Sequence, residues 1–366
     1  MYLIPALIAA IAAYGVIAYI IYRQQLFKDH VVFYGPILAI KTVNVAFFDR
    51  ARKYSTVLRF YGSAGVAAVI VVSAIITVML IIALEYTLII QPEPTGIYKP
   101  QNILLLPGIN EYVPSTFAVW LAFIIAIAVH ELGHGFLCRV EGIRVKSMGA
   151  LIAVIPIGFF VEPEEQDLER TKGMQKMRMF GAGITNNLLI GALCFCLLVL
   201  VAGMAVPTGT PVIQGIYKNY SAESAGVPQN SVISAINGIP VATRTDVTEL
   251  LTDTRPGDNL VLTTAQDGSP RDYRLTLSAW PEEIGGGKTT GFMGVYYYDG
   301  DTVIGAVRGL VSPLGFFRFI SVPFDPTMSG QLLRVIAFET PETKYFKTPF
   351  PFFWDCVHLL FWCAWI

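Results

Sequence analysis

The stretch AIAVHELGHGF, residues 126–136, sets two histidines and a glutamate in a run that otherwise reads as membrane-spanning helix. Helical residues four apart share a face, so His130 and His134 can offer two imidazole nitrogens to one metal ion, while Glu131 can reach a water held there. This is the H-E-x-x-H pattern of zinc hydrolysis. Zinc brings the pKa of water from about 15.7 toward about 7, and the glutamate takes its proton and later hands it to a leaving amine. Gly133 and Gly135 leave room beside such a site. The plainer alternative makes both histidines hydrogen-bond glue between helices. Against it, two of the chain's four histidines fall at this spacing around a glutamate in an uncharged run, where ionisable groups cost several kcal/mol and mark function. His30, in a basic loop, reads as a surface residue.

The elements that must position these residues are membrane elements. Of 366 residues 54% are hydrophobic and 14% charged, and the mean hydropathy is +0.56; a soluble domain carries about 25% charged residues. The sequence predicts a polytopic α-helical membrane protein. A net charge of -1 offers no basic face for nucleic acid and none is expected as a partner. The five cysteines all lie in apolar runs, which argues against a disulfide framework, and Cys194 and Cys196, two apart on a helix, point to different faces rather than forming a metal pair.

Four runs reach the roughly 20 residues a span needs: 2–22, 64–90, 114–138 and 180–206; a fifth begins near 350. The first lacks a preceding basic residue and reads as a retained span rather than a signal peptide. The run 148–161 is too short to span and holds Pro156 and Gly158, which predicts a re-entrant loop or membrane-embedded hairpin. Arg23, Lys28, Lys41, Arg50, Arg52, Lys53 and Arg59 crowd the segment after the first span, against Lys99 alone after the second. That places the first loop inside and the N-terminus outside. Arg139, Arg144, Lys146, Arg170, Lys172, Lys176 and Arg178 then fall on the cytoplasmic side, and HELGH toward it.

The fourth span returns outward, and residues 207–300 change character: short β-branched runs bounded by Gly, Pro, Asn and Asp predict a small extracytoplasmic β-rich domain. Within it Asp246 stands three residues before Glu249, with Val247, Leu250 and Leu251 apolar, which predicts one short capped helix. Residues 285–287, three glycines, read as a loop. Residues 301–348 are apolar but broken by Arg308, Pro313, Arg318 and Pro323 and are expected at the outer interface. The organisation is thus 1–113 N-terminal spans and loops, 114–206 the membrane core with HELGH, 207–300 the β-rich insertion, 301–348 the interfacial segment and 349–366 the start of a final span.

HELGH, followed by RVEGIRVKSMGALIAVIPIGFFVEP and by MRMFGAGITNN opening the next span, resembles the site-2 protease family, its archaeal branch in particular. LLPGINEYVP ahead of the catalytic span matches too, and the insertion resembles a PDZ domain from AESAGVPQNSVISAINGIPV through RPGDNLVL to GFMGVYY. The resemblance, over roughly 100–300, implies zinc-dependent peptide-bond hydrolysis in transmembrane protein substrates within the lipid bilayer. Such substrates are usually pre-cleaved outside by another protease, and a regulatory fragment is released. It implies His130 and His134 as Zn2+ ligands, Glu131 as general base, and Asn187 beside the zinc holding substrate backbone or the developing oxyanion. It also implies Gly291, Phe292, Met293 and Gly294 as a carboxylate-binding loop beside a strand edge that takes a peptide. Asn187 has an independent argument, since Asn186 and Asn187 lie near the cytoplasmic end of the fourth span, at the depth of HELGH.

The chain departs from the family pattern at Asn230 and Ser231, where Gly-Asp is usual, and in lacking the Leu-Asp-Gly motif that supplies the third zinc ligand. It is expected to be a piece cut before that ligand. Asp355 and His358, three apart, are weak substitutes at the wrong depth. A non-catalytic relative that binds helices and peptides, and a metal transporter, are the rival readings.

Overall fold

The computed structural model describes residues 3–28, 30–91, 96, 99–266, 269–285, 287–325 and 327–366. Tyr2, at the head of the first apolar run, and Gly286, in the glycine loop, lie outside them. The chain divides into a unit that runs to Phe195 and takes in Leu359–Ile366, and a second, Cys196–His358.

The first unit is built on long apolar helices. After α1 (Leu3–Gln24) come strands β1 (Val31–Tyr34) and β2 (Ile37–Thr42), a 3-10 turn over Ala46–Tyr54, and helices α2 (Ser55–Ile90) and α3 (Phe117–Val140). Strands β3 (Val145–Ala153) and β4 (Ile155–Pro163), the short α4 (Glu165–Arg170) and α5 (Met174–Ala202) follow. Among the described residues α2, α3 and α5 are long and apolar enough to cross a membrane, whereas the described apolar part of the first run, Ile8–Gln24, is shorter. Thr116 caps α3 by accepting from the Val119 N–H.

Of the two forms expected for the run 148–161, a re-entrant loop or a hairpin, the structure has a hairpin of two strands. β3 and β4 pair antiparallel with Met148 opposite Val161, and β3 also pairs with β2, Lys41 opposite Gly149. The result is one antiparallel sheet in the order β1-β2-β3-β4. Half of that sheet comes from residues 31–42, whose strand character the sequence reading missed. Strand pairing satisfies the backbone polar groups of an apolar, Pro- and Gly-containing run, as a low-dielectric setting demands.

The second unit carries small antiparallel sheets made from β5 (Val206–Pro207), β6 (Ile213–Ile216), β7 (Val232–Ile236), β8 (Ile239–Pro240), β9 (Asn259–Gln266), β10 (Ser269–Thr276), β11 (Val295–Tyr297) and β12 (Phe346–Lys347). Their orders are β10-β9-β7-β8, β11-β6 and β12-β5. On β9 burial alternates through Leu260, Leu262 and Thr264, the period of a strand with one face in a core. That core gathers Ile213, Ile233, Leu262 and Met293, with Val247 from helix α7 (Arg244–Leu251) and Leu250 and Leu251 packed against it. The predicted helix is there, but its cap is Thr243, in a capping box with Asp246, rather than Asp246 with Glu249. Single-turn helices α6 (Ser221–Ser224) and α8 (Glu282–Gly285) accompany it. Further on, α9 (Gly300–Gly309) and α10 (Pro313–Ser321) meet at 112°. Ser312 and Pro313 make the break: the Ser312 side chain caps α10 by accepting from the Gly315 N–H, and Pro313 occupies its first turn. Helices α11 (Met328–Leu333) and α12 (Phe353–Trp365) complete the chain.

Candidate metal centre

His130, Glu131 and His134 converge on α3 as their spacing predicts: one nitrogen from each imidazole and a carboxylate oxygen lie within 4.8 Å of one another. The rings stand 5.0 Å apart and nearly perpendicular. Among the described residues no other group of three His, Cys, Asp or Glu has this geometry. Two imidazoles and a carboxylate are a donor set suited to zinc.

Each of the three is tied by a neighbour that the sequence reading did not single out. His134 donates from Nδ1 to the Met179 carbonyl on α5 at 2.8 Å, which fixes its tautomer and leaves Nε2 with the free lone pair a metal ligand needs. Glu131 Oε2 accepts the Val161 N–H of β4 at 3.2 Å. His130 lies against Gly183 of α5, where any Cβ would overlap the imidazole. Gly135 makes the equivalent room for Phe48, which is fully buried and packs edge-on to Phe136. These partners lie 45, 30 and 53 residues away in sequence, so no local pattern marks them.

The two asparagines divide their work. Asn186 accepts from the Tyr61 hydroxyl at 2.7 Å and donates to the Val129 carbonyl at 3.0 Å, joining α2, α5 and α3 one residue before His130. Asn187 points at the site: its Nδ2 lies 3.4 Å from His130 Nδ1, while its buried Oδ1 has no hydrogen-bond partner among the described residues. Amide oxygen and nitrogen are assigned from their surroundings. Turned by 180°, the Asn187 amide would accept from His130 Nδ1 and free the other ring nitrogen for metal, as Met179 does for His134.

Asp355 and His358 do not join this group. His358 Nε2 lies 3.2 Å from the Val335 carbonyl and 3.0 Å from that of Glu339, and the imidazole is engaged there. Outside the long apolar helices, Arg144 grips Asp167 of α4 through Nε at 2.7 Å, Nη2 at 3.2 Å and its backbone N–H at 3.0 Å. That fork pulls the Asp167 carboxyl down to about 2.

In the second unit a cavity of about 340 Å³ runs between α7 and β11, lined by Val247, Leu251, Phe292, Met293 and Tyr297. Lys288 closes it from above Trp280, its Nζ 4.2 Å from the ring centroid. Of the four N–H groups expected to bind a carboxylate, two are already engaged: Gly291 donates to Thr254 and Phe292 to Ser278. The N–H groups of Met293 and Gly294 meet no acceptor among the described residues.

Long apolar helices with an H-E-x-x-H donor group inside one of them define a class, the membrane-embedded zinc hydrolases. Residues 118–361 match peptidase family M50, the family of the intramembrane site-2 zinc metalloproteases, and the chain belongs to it. It is 28% identical over 173 residues to a membrane-bound transcription factor site-2 protease homolog of Arabidopsis thaliana, covering 46% of this chain and 32% of that protein. Similarity to the zinc metalloprotease RasP of Geobacillus kaustophilus is 28% over 163 residues, 44% of this chain and 37% of RasP. The regulator of sigma-E protease RseP of Escherichia coli matches at 27% over 197 residues, 44% of this chain and 43% of RseP. The chain thus spans less than half the length of each of these relatives.

Proposed function

We propose that this chain hydrolyses peptide bonds in transmembrane protein substrates, with His130 and His134 as zinc ligands and Glu131 as general base. The observation that carries the reading is the convergence of these three donors, within 4.8 Å, in the interior of the apolar helix α3. His130 and His134 would hold the zinc, which would supply Lewis acidity to the scissile carbonyl and lower the pKa of water toward neutrality. Glu131, oriented by the Val161 N–H, takes the proton of the attacking water and passes it to the departing amide nitrogen. Met179 holds His134 in its ligating tautomer. Asn187, the polar side chain nearest His130 on α5, supports the developing oxyanion or orients His130.

The lysine and arginine distribution supports a multi-pass orientation with the N-terminus outside and the zinc site toward the cytoplasmic side. In that frame the β3–β4 hairpin lies at membrane depth and shapes access to Glu131. Residues 207–300 read as an extracytoplasmic PDZ-like domain, which gates or recruits substrates already cut by another protease. Its support is the apolar groove between α7 and β11, lined also by Lys288 and by Met293, whose N–H meets no acceptor among the described residues. These suit a terminal carboxylate.

The rival reading is a non-catalytic relative that binds helices and peptides. The two separate in vesicles carrying the metal-loaded chain and a panel of single-span substrates. Cleavage that a chelator stops and zinc restores is the expected result; substrate binding with no cleavage under any metal would favour the second reading.

A further inference from the structure

Seven residues beyond His134, about two turns or 10 Å along α3, Glu141 is buried with a side chain 0% exposed. Buried carboxylates need partners, and this one has two arginines from different helices. Arg178 of α5 donates from Nε to Glu141 Oε1 at 2.7 Å, and Arg59 of α2 places its Nε 3.6 Å from Oε2. Each arginine makes a second tie across the junction. Arg178 Nη1 donates to Ser63 Oγ at 3.2 Å, and Arg59 Nη2 donates to the Val140 carbonyl at 3.0 Å. Three helices therefore meet at one carboxylate, α5 through a charged hydrogen bond and α2 through a longer ion pair, with Oε2 accepting no hydrogen bond among the described residues.

The register this cluster fixes is the one the metal centre uses. Arg178 is followed directly by Met179, whose carbonyl receives the His134 Nδ1–H at 2.8 Å. Met179 is itself buried, packed with Phe48, Cys138, Ile143 and Val145. We propose that the Arg178–Glu141–Arg59 cluster is the positioning device of His134: by locking α5 to the end of α3 one residue from Met179, it holds that carbonyl on Nδ1 and turns Nε2 toward zinc. Arg178 and Glu141 act through Met179 and touch neither substrate nor metal. The inference rests on His134 being a zinc ligand.

The test is zinc affinity, by competition with a chelator, on the full chain in detergent, with the thermal midpoint of the zinc-free chain recorded beside it. Arg178→Met leaves a buried, half-paired Glu141 and is expected to lower both. The double variant Glu141→Gln with Arg178→Met removes both charges, so burial no longer penalises the fold, but the charged tie between the helices is gone. The expected result is a thermal midpoint restored toward wild type with zinc binding still weakened 10- to 100-fold, the usual effect of losing a group that orients a ligand. Arg178→Lys, which keeps the charge but not the fork, is expected between wild type and Arg178→Met. Zinc affinity of the double variant within threefold of wild type would overturn the proposal and leave the cluster a purely structural role. His134→Ala, run in parallel, keeps the two readings apart. If it leaves zinc binding intact, the ligand reading falls and the proposal with it. If it abolishes binding while the double variant matches wild type, the proposal alone falls.

Discussion

Val161 gives its backbone N–H to Glu131 Oε2 at 3.2 Å. This bond connects strand β4, whose other side pairs with β3, to the one carboxylate in the centre of α3. The edge strand of that sheet and the glutamate of the H-E-x-x-H group are thereby tied to each other.

Removing that donor is the first prediction. Val161→Pro deletes the N–H on an outer strand, where proline is tolerated. It is expected to leave zinc content unchanged and lower kcat by about 10- to 100-fold, since a hydrogen bond to a charged group is worth about 1.5–3 kcal/mol. Metal analysis and turnover on the same preparation check it.

Gly183 offers a steric test of the His130 position. A methyl group there overlaps the imidazole, and an overpacked interior costs about 1–3 kcal/mol. Gly183→Ala is expected to displace His130 and lower zinc occupancy more than it lowers the thermal midpoint of the zinc-free chain.

The adjacent asparagines should separate in a paired measurement. Asn186→Ala loses two interhelical hydrogen bonds, each worth about 0.6 and at most about 1.7 kcal/mol in a membrane protein, so the thermal midpoint falls while residual activity follows the folded fraction. Among the described residues, Asn187→Ala removes no tie to another helix apart from its contact with His130. It is expected to keep the thermal midpoint and lose turnover by about 10²- to 10³-fold, as for a lost oxyanion donor.

Asp167 gives a pH prediction outside the spans. Its carboxyl is held at about 2 by the Arg144 side chain and N–H, below the ordinary aspartate value of about 3.9. A lowered folded-state value means the contribution to stability is complete above the ordinary value and fades as pH falls through the folded one. The gap in thermal midpoint between wild type and Asp167→Asn, measured on the chelated chain to remove any effect of zinc loss, is expected to be constant from pH 7 to about 5 and to shrink on further acidification. A gap that widens on acidification would contradict the assignment.

What the sequence disclosed follows from the range of its signals. The pairing of His130 with His134 is a local consequence of helical period, so the site nucleus was legible without a structure. Val247, Leu250 and Leu251 likewise marked the inner face of α7. The supports were not legible because they are contacts between distant segments: β2 meets β3 across more than 100 residues, and Glu141 draws its partners from positions 59 and 178. The cap of α7 was misplaced for another reason. Thr243 and Asp246 form a reciprocal box, and the equally spaced Asp246 and Glu249 imitate one in the linear sequence. In the run 148–161, apolarity, Pro156 and Gly158 left a loop and a hairpin both open, and the further partner that extends the hairpin into a sheet, β2, lies far back in the chain between α1 and α2.

The proposed role of Glu131, base of a zinc-dependent peptide-bond hydrolysis, stands or falls with Glu131→Gln in the full chain, reconstituted in vesicles with a single-span substrate, with zinc content and cleavage read from the same sample. Zinc retained at the wild-type level with cleavage abolished is the expected result; cleavage retained by the glutamine variant would contradict that role.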